Sequence, residues 1–176
     1  MNVSRVIYIY NHTPILKKIQ AMNAAFFIAP NQIEMKPIDL TESDDYYILK
    51  TLSCSVCSYD VRTFRNGNFK VTPPVILGHE ICAKTIGELK GQNYSFKPNT
   101  RVCVYPLIPC MDCWYCNNRK FNLCLNFKEL GSTINGGYCG FIQVPKKIFE
   151  IGGVIPLPDT ITNEEGTLIE PLACCI

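Results

Sequence analysis

Four cysteines fall within fifteen residues, at Cys110, Cys113, Cys116 and Cys124, in the spacing C-x2-C-x2-C-x7-C. Gaps of two residues let one loop wrap a small cation and present four soft ligands as a tetrahedron, the arrangement zinc prefers. Two disulfides drawn from the same four thiols would have to share one tight loop, which is hard on bridge geometry. The spacing therefore predicts a closed structural zinc site. A closed site stabilises and does not catalyse, so any chemistry must lie elsewhere in the chain.

The rest of the composition narrows the setting. The chain has 176 residues, enough for one domain with a small appendage, and 47% of them are apolar, enough for a core. Charged residues are only 18% and the formal balance is +2. Four thiolates with one Zn2+ add −2 and cancel it, so no electrostatic nucleic-acid surface is expected, although Arg119 and Lys120 beside the cysteines resemble a zinc ribbon. There are eleven cysteines, an odd number that would leave a thiol over in a disulfide scaffold. Metal spacing argues instead for reduced thiols and a cytoplasmic protein. No apolar stretch reaches the ~18 residues of a membrane helix, and the run after Lys17-Lys18 is interrupted by Gln20 and Asn23.

Residues 1–21 carry Asn11-His12-Thr13-Pro14 and no clear period, and they read as an N-terminal extension that is not part of the native domain, with His12 on the surface. From Met22 onward, short apolar segments alternate with turns. Segments 24–29, 33–38, 46–53, 75–77, 81–89, 101–105, 140–144 and 154–157 read as strands, separated by Pro and Gly pairs such as Pro73-Pro74, Gly136-Gly137 and Gly152-Gly153. A short helical turn is expected over 60–65. Thr162-Asn163-Glu164-Glu165 has the form of a capping box, which predicts a helix running through Leu168, Leu172 and Cys175 to the end of the sequence. The expected fold class is mainly β with short helices.

Three further segments carry metal or proton chemistry. His79 ends an apolar strand in Gly78-His79-Glu80. Upstream, Cys57 is followed three residues later by Asp60, which suits a thiolate ligand with a carboxylate that fixes the tautomer of a ligating imidazole. Downstream, Glu170 lies on the C-terminal helix beside small residues, with Cys174 one turn later on the same face. Cys, His and Glu with one open position make a catalytic rather than a closed zinc site. Cys54, Cys82, Cys103 and Cys139 lie in apolar runs and are expected in the core.

Taken in order, these motifs resemble the N-terminal, GroES-like catalytic domain of zinc-dependent medium-chain alcohol and polyol dehydrogenases over residues 22–176. Met22-Asn23-Ala24-Ala25 is similar to the usual opening of that family, Phe96-Lys97-Pro98-Asn99-Thr100-Arg101-Val102 to its Phe-Lys-Pro-Gly-Asp-Arg-Val turn, and Gly136-Gly137-Tyr138 to its Gly-Gly-aromatic turn. The resemblance implies a partly open β-barrel with a zinc-binding lobe. It implies two zinc ions per chain: a structural one on Cys110, Cys113, Cys116 and Cys124, and a catalytic one on Cys57 and His79. Glu80 and Glu170 compete for the remaining protein position, with Glu170 preferred over Cys174. Asp60 would orient His79 and Tyr59 would take the substrate proton. The implied activity is reversible oxidation of a small-molecule alcohol or polyol linked to NAD or NADP in the complete enzyme, with a homo-oligomer as one option and no nucleic acid or membrane as partner.

Two departures touch the proton path. The family's Ser or Thr two residues after the catalytic Cys is Tyr59 here, and the His two residues after the Asp is Arg62, which cannot shuttle a proton near neutral pH. Ala83 and Asn99 replace family glycines, the latter tolerably because Asn visits the left-handed region. No G-x-G-x-x-G follows a strand, and Ile176 falls where a helix would lead to a Rossmann domain. The sequence thus reads as truncated in that helix and as inactive with dinucleotide in isolation. The alternative reading is a zinc-binding structural or interaction module without catalysis.

Overall fold

The structure, a computed structural model, describes residues 5–11 and 13–176, with side chains from Lys18 onward; His12 lies outside the described residues. Strands β1 Arg5–Asn11, β2 Thr13–Ala29, β3 Gln32–Thr41 and β4 Tyr46–Ser55 come first, followed by helix α1 Ser58–Asn66. Strands β5 Val75–Ile76, β6 Glu80–Thr85, β7 Leu89–Lys90, β8 Ser95–Phe96, β9 Arg101–Val104 and β10 Leu107–Ile108 lead into a lobe with helix α2 Trp114–Asn117. Then come β11 Lys128–Glu129, β12 Phe141–Pro145, helix α3 Lys146–Glu150, β13 Val154–Pro156, and helices α4 Asn163–Thr167 and α5 Ile169–Ala173.

The main sheet is antiparallel in the order β12-β4-β6-β9-β13, and a second sheet has the order β1-β2-β3 with β5 paired to β2. They meet at the Ala24–Cys139 bridge and at the Ala25 N–H to Tyr138 carbonyl bond of 3.3 Å. The sheets do not close into a full barrel, which is the partly open, mainly β architecture expected from sequence.

Period-two alternation decides what each face of the main sheet buries. Leu49, Ile81, Ala83, Val102, Val104, Ile142 and Val144 fill one side, sealed by Leu89, Phe96, Ile148 and Phe149. Cys82 and Cys103 point the other way and pack with Leu157 against Leu52 and Ile169. This second layer clamps α4 and α5 onto β6, helped by a hydrogen bond between the Ser55 and Thr167 hydroxyls. Each fully buried Leu or Ile contributes on the order of 1.5–3 kcal/mol relative to exposure. Cys54 and Cys139 are only partly buried beside the first layer, less deep than the sequence suggests.

Three elements differ from the sequence reading. The strand expected over 81–89 ends at Thr85, because the side-chain hydroxyl of Thr85 turns to the Lys97 carbonyl (2.6 Å) and the chain bends into the β7–β8 hairpin. The C-terminal helix starts at the expected capping box, Thr162 with Glu165, but breaks at Leu168 into α4 and α5. Pro171 has no N–H for the Thr167 carbonyl, and its ring would clash there in a continuous helix, so it sits in the first turn of a new one. Third, β2 runs unbroken through Met22, and Ile19 is fully buried with Met22, Leu40 and Ile48. Asn99 takes φ +62 as its turn requires, and its N–H bonds the Thr85 carbonyl at 2.9 Å. No helix among the described residues is long and apolar enough to cross a membrane.

Candidate metal centres

The lobe gathers Cys110, Cys113, Cys116 and Cys124 as free thiols within 4.8 Å of one another. Sulfur–sulfur distances are 3.8 Å for Cys110–Cys116, 3.5 Å for Cys113–Cys116 and 4.0 Å for Cys113–Cys124. These are far too long for disulfides. Four sulfurs at the Zn–S distance of ~2.3 Å define a tetrahedron with edges of about 3.8 Å, so the observed spread fits that cation. The backbone N–H of Cys116 holds the Cys113 thiol down to about 6. Cys110 is pushed up to about 12, chiefly by the Asp112 side chain, and burial raises Cys116. A cavity of thiols that cannot all ionise unaided is the donor chemistry of a divalent soft metal.

The second centre is built at the N-terminus of α1. Cys57 is the N-cap, and its sulfur accepts the Tyr59 N–H at 3.2 Å. Asp60, at N3, accepts the Cys57 N–H at its Oδ2 (3.1 Å), so the spacing C-x2-D closes a capping box that fixes both side chains. His79 arrives from the turn between β5 and β6. Its Nε2 lies 3.2 Å from Cys57 Sγ, and its Nδ1 lies 3.8 Å from Asp60 Oδ1. A sulfur and an imidazole nitrogen on one zinc would stand about 3.5 Å apart. Asp60 is 3% exposed, and its Oδ1 has no hydrogen-bond partner. That orphan acceptor faces the ring nitrogen which would carry the proton when Nε2 holds a metal. The residues present therefore fit the group.

Glu80 and Glu170 complete the arrangement. His79, Glu80 and Glu170 offer ligand atoms within 4.8 Å of one another. Burial raises the Glu80 carboxyl above its ordinary range, and His79 pulls it back. Cys174 Sγ reaches Glu170 Oε1 at 3.8 Å, as expected of residues one turn apart. The structure thus brings Cys57, Asp60, His79, Glu80 and Glu170 together from three parts of the chain. Tyr59 stands edge-on to the His79 ring, with centroids 5.5 Å apart, and its hydroxyl pairs with Ser132 Oγ at 3.2 Å.

Sequence reasoning missed several contributors. Tyr138 donates its hydroxyl to Asp60 Oδ2 at 2.8 Å and lies 3.0 Å from the Ser55 carbonyl. It sits in a turn identified from its glycines, but nothing in the local sequence says where the ring points. Gly136 and Gly131 let that loop press on the His79 turn: a Cβ at Gly136 would stand 2.1 Å from the Gly78 carbonyl oxygen, and one at Gly131 2.7 Å from it. Ser132 comes to the Tyr59 hydroxyl with the same loop.

The chain resembles known proteins over most of its length. Residues 43–159 match the family model described as "Alcohol dehydrogenase GroES-like domain". The chain is 30% identical over 152 residues to D-arabitol-phosphate dehydrogenase of Enterococcus avium, covering 84% of this chain and 42% of that one. It is 29% identical over 159 residues to sorbitol dehydrogenase of Bacillus subtilis, covering 88% and 43%. Among solved structures, a Sinorhizobium meliloti protein described as a zinc-binding dehydrogenase bound to NADP superposes with a TM-score of 0.75 at 30% identity, covering 88% and 43%. The chain thus spans less than half the length of these relatives.

Proposed function

Because the chain belongs to the alcohol dehydrogenase GroES-like domain family, we propose that it is the zinc-binding, substrate-holding part of an enzyme that reversibly oxidises an alcohol or polyol with NAD or NADP. The observation that carries this reading is the pairing of Cys57 Sγ and His79 Nε2 at 3.2 Å, with two carboxylates within reach and a separate four-thiol lobe. On this reading the chain holds two zinc ions, and NAD(P) is bound by a part of the complete protein that this chain does not span.

Cys57 and His79 would hold the catalytic ion, with Glu80 or Glu170 as the further protein ligand and room left for water or substrate. When bound there, zinc supplies Lewis acidity that lowers the pKa of the alcohol. Asp60 keeps the His79 proton on Nδ1, away from the metal. Tyr59, whose own phenol is raised by burial, passes the substrate proton towards Ser132. Reduced thiols at both centres suit a cytoplasmic setting.

The test is to load the reduced chain with cobalt(II), whose visible bands report coordination, and titrate it with alcohols. Elemental analysis should give close to two metal ions per chain. One band set should be all-thiolate and indifferent to alcohol; the other should contain one thiolate and shift as alcohol binds. A single all-thiolate ion, with no response to alcohol, would instead favour the structural module.

A further inference from the structure

A cavity of about 340 Å³ lies at the foot of the thiol lobe, and no residue of the His79 centre lines it. Two strand pairs build its walls. Ile108 stands opposite Lys128 across β10 and β11, the strands between which the lobe is looped out, and Tyr46 stands opposite Pro145 across β4 and β12. Directly opposed residues of an antiparallel pair put their side chains on one face, and all four line the cavity. Ile134 joins them, held to the end of β11 by its N–H on the Glu129 carbonyl at 3.1 Å. Ile108, Ile134 and Pro145 therefore give the cavity an apolar wall.

Its charges are of both signs. Lys128 and Lys147 line it together with Asp45. The Lys146 N–H bonds the Asp45 carbonyl at 2.8 Å, which fixes the start of α3 against Asp45. Among the described residues none of these three side chains enters an ion pair. Opposite charges thus share one cavity without satisfying each other. A plain anion would meet the Asp45 carboxylate, and a plain cation would meet two ammonium groups.

We propose that this cavity binds a dipolar ion, an α-amino acid with an apolar side chain. Its carboxylate pairs with Lys128 and Lys147, its ammonium pairs with Asp45, and its side chain covers the apolar wall. Complementary placement of charge sets the choice of ligand. Such a molecule also adds no net charge beside the four thiolates of the lobe. The volume stands at the low end for small-molecule sites, which suits a ligand of leucine's size. Occupancy of this cavity does not depend on the dehydrogenase chemistry.

The probes are L-leucine, isocaproate, which is leucine without the ammonium, and isoamylamine, which is leucine without the carboxylate. Each is titrated into the zinc-loaded chain carrying labelled isoleucine methyls, and the shifts of Ile108 and Ile134 are followed. L-Leucine should move both. Exposed ion pairs are modest, so isocaproate should bind about three- to fivefold more weakly than leucine, and isoamylamine, which gives up two lysine contacts, roughly tenfold more weakly. Asp45→Asn, Lys128→Gln and Lys147→Gln should each weaken leucine by about the same three- to fivefold. All three side chains are exposed, so melting curves should match the parent, and the three ligands on the parent chain carry the test if a variant misfolds. Isocaproate binding as well as leucine, or Asp45→Asn binding leucine as tightly as the parent or more so, would overturn the proposal in favour of a plain anion site. Lysine variants that bind leucine like the parent, or shifts that leave Ile108 and Ile134 unmoved, would overturn it outright.

Discussion

The Tyr138 hydroxyl is a single group on which several others depend, so its removal is a sharp test. Asp60 is almost wholly buried and has two acceptor oxygens. Oδ2 receives the Cys57 N–H at 3.1 Å and the Tyr138 O–H at 2.8 Å, and Oδ1 faces only His79 Nδ1, at 3.8 Å. Tyr138→Phe leaves the ring and its packing with Phe27, Val71, Val75 and Leu77 and takes away one short bond to a carboxylate. Such a bond contributes about 1.5–3 kcal/mol to stability, with the upper part of the range reached where the acceptor stays buried and unpaired. The same loss frees Asp60 to turn, and groups that orient a ligating His typically alter metal affinity 10–100-fold. Urea unfolding of the zinc-loaded chain should therefore show a loss of about 2 kcal/mol at unchanged denaturant slope. Competition with a chromophoric chelator should show weaker zinc at one site only. Unfolding like the parent, with zinc affinity inside twofold, would mean that the capping box alone holds Asp60 and that the Tyr138 bond is incidental.

Three other outcomes are expected. Cys116→Ser should unfold or aggregate the lobe, since structural zinc carries on the order of 10–16 kcal/mol of apparent binding energy, whereas Cys57→Ser should keep the melting transition near that of the parent and lose one zinc; equal melting of the two would refute the division into structural and catalytic sites. Zinc uptake by the lobe at pH 7 should release at least two protons, from Cys110 and Cys116, whose thiols stand above their ordinary value, while Cys113, at about 6, is already ionised. Affinity should thus rise with pH by roughly 100-fold per unit, and calorimetry in buffers of different ionisation enthalpy measures the proton count. Gly136→Ala drives a Cβ into the Gly78 backbone, which cannot rotate away, so it should cost about 3 kcal/mol and disturb the cobalt bands of the His79 site more than those of the lobe.

What could be read from sequence follows a physical divide. Contacts closed within one turn left a spacing behind. The C-x2-C repeats and the Thr162-to-Glu165 capping box come together as spaced, and the capping box of Cys57 with Asp60, not read as one from sequence, is equally local. Strand positions were legible because half-buried strands alternate and the punctuating Pro and Gly residues have fixed backbone demands. The failures lie where a long-range contact decides. Nothing near Thr85 announces that Lys97, twelve residues on, ends its strand. Tyr138 meets Asp60 from 78 residues away. Pro171 is the exception, a local residue whose missing N–H and ring require the break at Leu168.

The same divide bears on the proton path. Family resemblance points to a hydroxyl at position 59, and Tyr59 supplies one, but a phenol ring carries its oxygen several ångströms further from the backbone than a serine does. The oxygen lands on Ser132. A serine there would keep its hydroxyl near Cys57. With tyrosine, the hydroxyl reaches across to the loop that carries Ser132. In a complete enzyme, Tyr59→Phe should keep both zinc ions and reduce turnover by about 10–1000-fold, the usual span for lost acid–base assistance. Ser132→Ala should reproduce part of that loss, because it removes the acceptor without touching the phenol. If Tyr59→Phe turns over like the parent and Ser132→Ala does not, the proton leaves through Ser132 by way of water, and the phenol serves only to hold His79 in place.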